Sequence, residues 1–189
     1  MIYENNNFIQ EQELKEIHEV CLSTRFPYFI QKTTSGNLYS GVSHNLIERH
    51  NPYTEELEVS STYYDFFYKI WKRFNEKNNI PHKKWARGAL NFTLPMPTIE
   101  MGTPHIDHDF EHKVMIMYLN EFTEGNTLIF KDKYNGKDSN TEKWSKPPVI
   151  DTEIKSEMGK VFVFDGLQYH ANRFPGFGTH RLTCVITYI

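Results

Sequence analysis

The sequence predicts a mostly β protein with flanking helices, built on a double-sheet jelly roll of cupin-like type. Three observations carry this expectation. Aromatic residues make up 15% of the 189 residues, and together with many Val, Ile and Thr they favour strands. After Pro81 the chain breaks into short β-rich runs, "GALNFTLPM", "KVMIMYLNE", "NTLIFKD", "KPPVIDTEI", "GKVFVFDG" and "HRLTCVITYI", punctuated by Gly, Asn, Pro and Asp. That texture suits an antiparallel sandwich or barrel. No helical pattern separates these runs, which disfavours a parallel, doubly wound sheet.

The elements follow in order. Ile9, Leu14, Ile17 and Val20 or Cys21 recur at helical spacing and predict a helix over about 10–22. Pro27 stops it. Residues 28–51 read as loop or short strand, with "TTSGN" as turn chemistry. "TEELEVSSTYYDFFYKIWKRFNEKNN" reads as a second, longer helix. Its stripe of Tyr64, Phe67, Ile70, Trp71 and Phe74 predicts packing on a sheet, and Asn78-Asn79 end it. The polar stretch 131–148 holds Asn135-Gly136 and reads as a long hairpin loop. Length predicts one domain over 1–189. Within it, 1–84 is expected to be a helical support and 85–189 the β core.

Composition narrows the function. The formal net charge is -3, and no basic run offers a broad phosphate-binding face, so nucleic acid is disfavoured as a partner. The two cysteines, Cys21 and Cys184, form no CxxC motif and read as reduced, buried thiols. A polar, acidic N-terminus predicts no signal peptide, and no apolar run approaches a membrane span. The expectation is a soluble, cytoplasmic protein. Oligomeric state is not readable.

The chemistry concentrates in "TPHIDHDFEH" at 103–112. In an extended segment alternate side chains share a face, so His105 and Asp107 can converge on one ion while Ile106 faces away. His108, Asp109 and His112 fall outside that pair. His-x-Asp alone is a weak signal, and a loop histidine with a capping aspartate would give it too. A third ligand is needed, and His170 is best placed, just after the buried run ending at Phe164 and the Asp165-Gly166 turn. Two imidazoles and one carboxylate leave open positions on an octahedral ion, the arrangement suited to non-haem Fe(II) and O2. Eleven residues further on, Arg181 and Thr183 share a strand face, with Leu182, Cys184 and Ile186 on the other. A guanidinium beside a hydroxyl is a good carboxylate receptor.

With these residues in place, the chain resembles the Fe(II)- and 2-oxoglutarate-dependent dioxygenases, in their prolyl-4-hydroxylase-like branch. His105, Asp107, His170 and Arg181 match the order and spacing of the family pattern, and Thr183 matches its Arg-x-Ser/Thr variant. "YLNEFTEGNTLIF" and "GKVFVFDGLQYH" are similar to two further family stretches. The match covers roughly 87–189. One departure is Gly125-Asn126 where the family carries Gly-Gly; it is expected to alter a turn and touch no ligand.

The resemblance implies a double-stranded β-helix, with His-x-Asp at the end of the second core strand. It puts the distal histidine on the seventh strand and the arginine on the eighth. It implies His105, Asp107 and His170 as metal ligands, and Arg181 with Thr183 on the far carboxylate of 2-oxoglutarate. Tyr118 and Asn91 are further candidates for that cosubstrate, although Tyr118 reads equally well as a core residue. The implied cofactors are Fe(II), 2-oxoglutarate and O2, with ascorbate as an accessory. The implied reaction is C–H hydroxylation of a peptidyl (prolyl-like) or small amino-acid-like substrate, with release of succinate and CO2. Retention of Asp107 favours hydroxylation over halogenation, because halogenating relatives carry a small residue there. The nucleobase-repair branch is disfavoured, since no further arginine follows Arg181. Trp144, Tyr134 and Tyr39 either line the pocket mouth or are ordinary loop aromatics. The alternative from another class is a non-catalytic, cupin-like metal- or ligand-binding module, which needs no Arg181–Thr183 pair.

Overall fold

The computed structural model describes residues 1–31, 41–97, 100–136 and 148–189. Among these, the order is β1 (Tyr3–Asn5), α1 (Glu11–Cys21), β2 (Phe29–Gln31), β3 (Gly41–Ile47), α2 (Tyr64–Lys77), β4 (Trp85–Thr93) and β5 (Lys113–Tyr118). There follow β6 (Thr127–Lys133), β7 (Ile150–Ile154), β8 (Val161–Asp165), β9 (Gln168–Asn172) and β10 (Arg181–Tyr188). A seven-stranded sheet has the order β1-β8-β5-β10-β4-β3-β2, and a three-stranded sheet has β7-β6-β9. Every pairing is antiparallel. The architecture is the expected jelly roll: two antiparallel sheets, with helices on one outer face.

Strand alternation sorts the side chains. Leu182, Cys184 and Ile186 of β10 join Met115 and Met117 of β5 in a core beneath Phe67, Ile70, Trp71 and Phe74 of α2. The opposite face sends Val185, Val114, Ile116 and Phe162 toward Ile129 and Ile154 of the small sheet. Burial of these apolar faces, at about 25 cal/mol per Å², is the main driving force. A third cluster covers the small sheet's outer face with Leu128, Phe130, Tyr169 and Ala171. Ile106 packs there too, on the side away from the metal candidates.

Helix α1 lies close to its expected span. Glu13 reaches back to the Gln10 amide at 2.9 Å, and Glu11 and Glu13 suit the positive end of the helix dipole. The second helix is shorter than expected. Val59 is spent on a β-bridge to Ile47, and the Ser61 hydroxyl lies 2.7 Å from His44 Nε2, so helix begins only at Tyr64. The first 84 residues are also more than a helical support. β1 pairs with β8, and β2 and β3 extend the large sheet beyond β4. The "TTSGN" turn lies outside the described residues, as does most of the 131–148 loop, which connects the paired strands β6 and β7.

Candidate metal centre and its pocket

The two candidate imidazoles are locked to each other by backbone. His105 and His170 form an antiparallel bridge, each amide donating to the other's carbonyl at 2.9 Å. This single bridge is the only ladder contact His105 has, because 102–112 carries no named strand among the described residues. On β9, Tyr169 and Ala171 face the outer cluster, which turns His170 inward, where Phe164 meets its ring edge-on at 5.0 Å. The two imidazole centroids are 4.6 Å apart.

Ring hydrogen bonds fix which nitrogens face the centre. His105 Nδ1 lies 2.9 Å from the Thr103 carbonyl, and His170 Nδ1 lies 3.2 Å from the Gln168 carbonyl. A carbonyl only accepts, so each Nδ1 carries the proton and each Nε2 presents a lone pair. Asp107 completes the group: the nearest ligand atoms of His105, Asp107 and His170 lie within 4.8 Å of one another. Asp107 Oδ2 is buried with no hydrogen-bond partner, 3.5 Å from His170 Nε2. Three lone-pair donors facing one another repel unless a cation lies between them. The donor set and the orphaned Oδ2 therefore fit a divalent ion, and two nitrogens with one oxygen suit Fe(II).

Protonation favours that role. Burial and the neighbouring His170 push His105 down to about 4, so its ring is neutral at physiological pH. Burial alone would raise the Asp107 carboxyl, but His170, Arg87 and His105 outweigh it and hold the group well below its usual range.

Arg87 Nη1 lies 3.3 Å from Asp107 Oδ1. Arg49 donates to the Asp107 carbonyl, and its Nη2 lies 3.8 Å from Oδ1. The other histidines turn elsewhere. His108 Nε2 meets the Thr187 hydroxyl at 2.7 Å, and its ring stacks on Phe110. His112 gives Nδ1 to the Phe110 carbonyl, and its Nε2 abuts Gly166, where a Cβ would come within 2.2 Å. Asp109 is exposed.

A pocket of about 540 Å³ opens beside the centre, lined by His105, Arg49, Arg87, Asn91 and Arg181. Arg181 is 4% exposed. Its Nε donates to the Gly125 carbonyl at 3.0 Å, and Nη2 and Nη1 lie 3.2 and 3.4 Å from the hydroxyls of Thr127 and Thr183. Gly125, at φ +47, thus touches a candidate site residue through its backbone; a side chain there would strike Phe122. Asn126 points elsewhere, to Glu153. Thr183 and Tyr118 are fully buried. The Tyr118 hydroxyl donates to Thr127 Oγ1 at 2.8 Å, and the Arg181 guanidinium sits 5.6 Å from its ring. Register aligns Ser43, Asn91, Thr183 and Tyr118 in one row across β3, β4, β10 and β5.

Arg49, Arg87 and Thr127 escape the sequence reading. Arg87 was within reach of it, because Arg87 and Asn91 are four apart on one strand and share a face. Thr127 lies inside the family-like stretch "YLNEFTEGNTLIF", whereas Arg49 carries no local signal. Of the loop aromatics, Tyr134 packs on the outer cluster, whereas Tyr39 and Trp144 lie outside the described residues.

No protein-family model matches the chain, and no curated protein matches its sequence. Solved structures do match it. An oxidoreductase of the 2OG-Fe(II) oxygenase family from Burkholderia pseudomallei superposes with TM-score 0.65 at 15% identity, covering 99% of this chain and 84% of its own. A prolyl hydroxylase from Trichoplax adhaerens, in complex with a hypoxia-inducible-factor peptide fragment, gives 0.63 at 11% identity over 100% and 83%. The epimerase SnoN, solved with Fe3+, alpha-ketoglutarate and nogalamycin RO, gives 0.63 at 10% identity over 100% and 78%. The chain thus has the fold of the 2OG-Fe(II) oxygenases, prolyl hydroxylases among them.

Proposed function

We propose that this protein is an Fe(II)- and 2-oxoglutarate-dependent dioxygenase that hydroxylates a C–H bond of a peptidyl, prolyl-like, or small amino-acid-like substrate. The observation that carries the reading is one pocket lined both by His105, a member of the His105–Asp107–His170 donor set, and by the Arg181 guanidinium. His105 and His170 would hold the metal through Nε2, and Asp107 through Oδ2. When bound, Fe(II) with 2-oxoglutarate and O2 supplies the oxidising chemistry, with succinate and CO2 as coproducts.

This chain's residues do the rest. Arg181 offers a buried, pre-oriented fork for the far carboxylate of 2-oxoglutarate, braced by Gly125 and Thr127. Thr183 and Tyr118 hold the surroundings of that fork, and Asn91 offers an amide on the pocket floor. Asp107, kept ionised, supplies the one negative ligand. Phe164 and the apolar face between the sheets keep bulk water from the metal side of His170. Residues 1–84 support the core and, through 41–49, form one wall of the pocket.

Anaerobic titration with Fe(II) and 2-oxoglutarate tests the reading. The expected result is a weak visible charge-transfer band that needs both components, then succinate on admission of O2. Neither band nor succinate would establish the non-catalytic binding module instead. A substrate screen scored by succinate yield and a one-oxygen mass gain then separates peptides from small molecules.

A further inference from the structure

The pocket has a second cationic pole. Arg87 and Arg49 converge on one oxygen of one carboxylate, Asp107 Oδ1, at 3.3 and 3.8 Å. Arg49 spends Nη1 on the Asp107 carbonyl. Among the described residues neither arginine meets another carboxylate, and Arg87 donates to nothing but Asp107. Both forks line the pocket, and the N–H donors not spent on Asp107, or on His108 Nδ1 at 3.5 Å from Arg49 Nη1, are left for a ligand there. The acid nearest in sequence, Glu48, accepts instead from Asn45 at 3.1 and 3.2 Å and from Ser60 at 3.4 Å.

Two like charges held together need more than one shared carboxylate. The shortage grows once the orphaned Oδ2 of Asp107 is committed to a divalent ion, because its charge is then shared. This pole is also separate from Arg181. Register pairs Arg181 with Thr93, and Arg87 lies six residues further along β4, roughly 20 Å at strand rise. One dicarboxylate bound at Arg181 cannot satisfy both ends.

We infer that Arg49 and Arg87 form the recognition site for a carboxylate on the substrate, which is a small carboxylic acid of amino-acid size. This rests on the dioxygenase reading, which assigns Arg181 to 2-oxoglutarate. The forked donors suit a carboxylate bidentately. A pocket of about 540 Å³ is in the range that encloses small ligands. Gripping the acid beside Asp107 positions its carbon chain next to the metal ligands.

The test uses full-length protein loaded with Zn(II), which is redox-inert, and 2-oxoglutarate, so that binding is read without turnover. N-acetyl amino acids are compared with their matching amides by ligand-observed NMR and calorimetry. At least one acid should bind about tenfold or more tightly than its amide, the scale of a charge-assisted hydrogen bond. Arg49→Gln and Arg87→Gln should each bring acid and amide together, with zinc content checked in parallel, and Arg49→Lys should retain part of the preference. Acids that bind no better than amides, no binding by any acid, or a preference that survives both glutamine variants would each overturn the inference. Failure of 2-oxoglutarate to bind in the first titration overturns the parent reading instead, and is seen before any acid is added.

Discussion

Arg87 holds Asp107 by one oxygen only: its Nη1 lies 3.3 Å from Oδ1, while Oδ2 is left buried without a hydrogen bond. The carboxylate is thereby oriented with its spare oxygen toward His170 and His105. Asp107→Ala removes the only negative donor of the group. Because loss of even an outer supporting group costs about 10–100-fold in metal affinity, loss of this donor should cost more than about 100-fold. Competition with a metal-sensitive dye for Mn(II) or Fe(II) measures it, and a variant that still binds like the parent would remove Asp107 from the ligand set.

Arg181 is buried and already braced, so its fork is organised before any ligand arrives. Arg181→Ala should raise the Kd for 2-oxoglutarate by about 30-fold or more, the cost of truncating a buried charge pair. Metal affinity should stay unchanged, since the Arg181 fork is braced by Gly125, Thr127 and Thr183, none of them in the His105–Asp107–His170 group. Calorimetry on metal-loaded protein separates the two quantities. Equal losses in both would mean that the substitution had disturbed the pocket as a whole.

The jelly roll was legible because strand alternation in "HRLTCVITYI" and "KVMIMY" separates a helix-facing set from a sheet-facing set without any tertiary knowledge. The inward turn of His170 was less so: it sits mid-strand on β9, between residues whose outer packing only the three-dimensional structure reveals. β1 escapes the sequence because "YEN" is too short and polar to show a period, and residues 28–51 read no more firmly than loop or short strand because β3 draws its stability from pairing with β4. Arg49 is the clearest case of what sequence hides. Nothing around it marks a site, and it reaches Asp107, 58 residues away, only through folding.

Glu13 and Arg73 tie α1 to α2 by two bonds of 2.7 Å. Burial tends to raise the Glu13 carboxyl, but Arg73 and the Gln10 amide outweigh it and lower it below its ordinary 4.5. A lowered folded value means stability that is present above the unfolded value and is lost as pH falls through the folded one. Glu13→Gln should therefore cost about 1 kcal/mol at neutral pH. The gap from the parent should close as pH drops below 4.5. Denaturant melts at several pH values give the curve; a gap constant with pH would assign the cost to packing.

Cys21 and Cys184 are both buried and free. Burial pushes the Cys21 thiol up to about 12 and raises Cys184 well above its usual range. Reactivity follows the thiolate, so neither should be alkylated by iodoacetamide in native protein at pH 8, and both should react after denaturation. Mass spectrometry counts the adducts. Native labelling of either would reveal local opening of the α1–β10 core.

Tyr188 closes the base of the helix-facing core through a polar contact. Its hydroxyl donates to Asn75 Oδ1 at 2.6 Å, and Asn75 Nδ2 donates to the Trp71 carbonyl at 2.8 Å. Both side chains are fully buried. Tyr188→Phe keeps the ring packing against Trp71 but strands Asn75 Oδ1 away from water, at a cost of about 1–3 kcal/mol. Removing both polar partners avoids that penalty, so the Tyr188→Phe/Asn75→Leu double variant should be more stable than Tyr188→Phe alone. Denaturant unfolding of the two single variants and the double gives the coupling directly. If the double variant is the least stable of the three, the contact is held by shape, and the hydrogen bond contributes little.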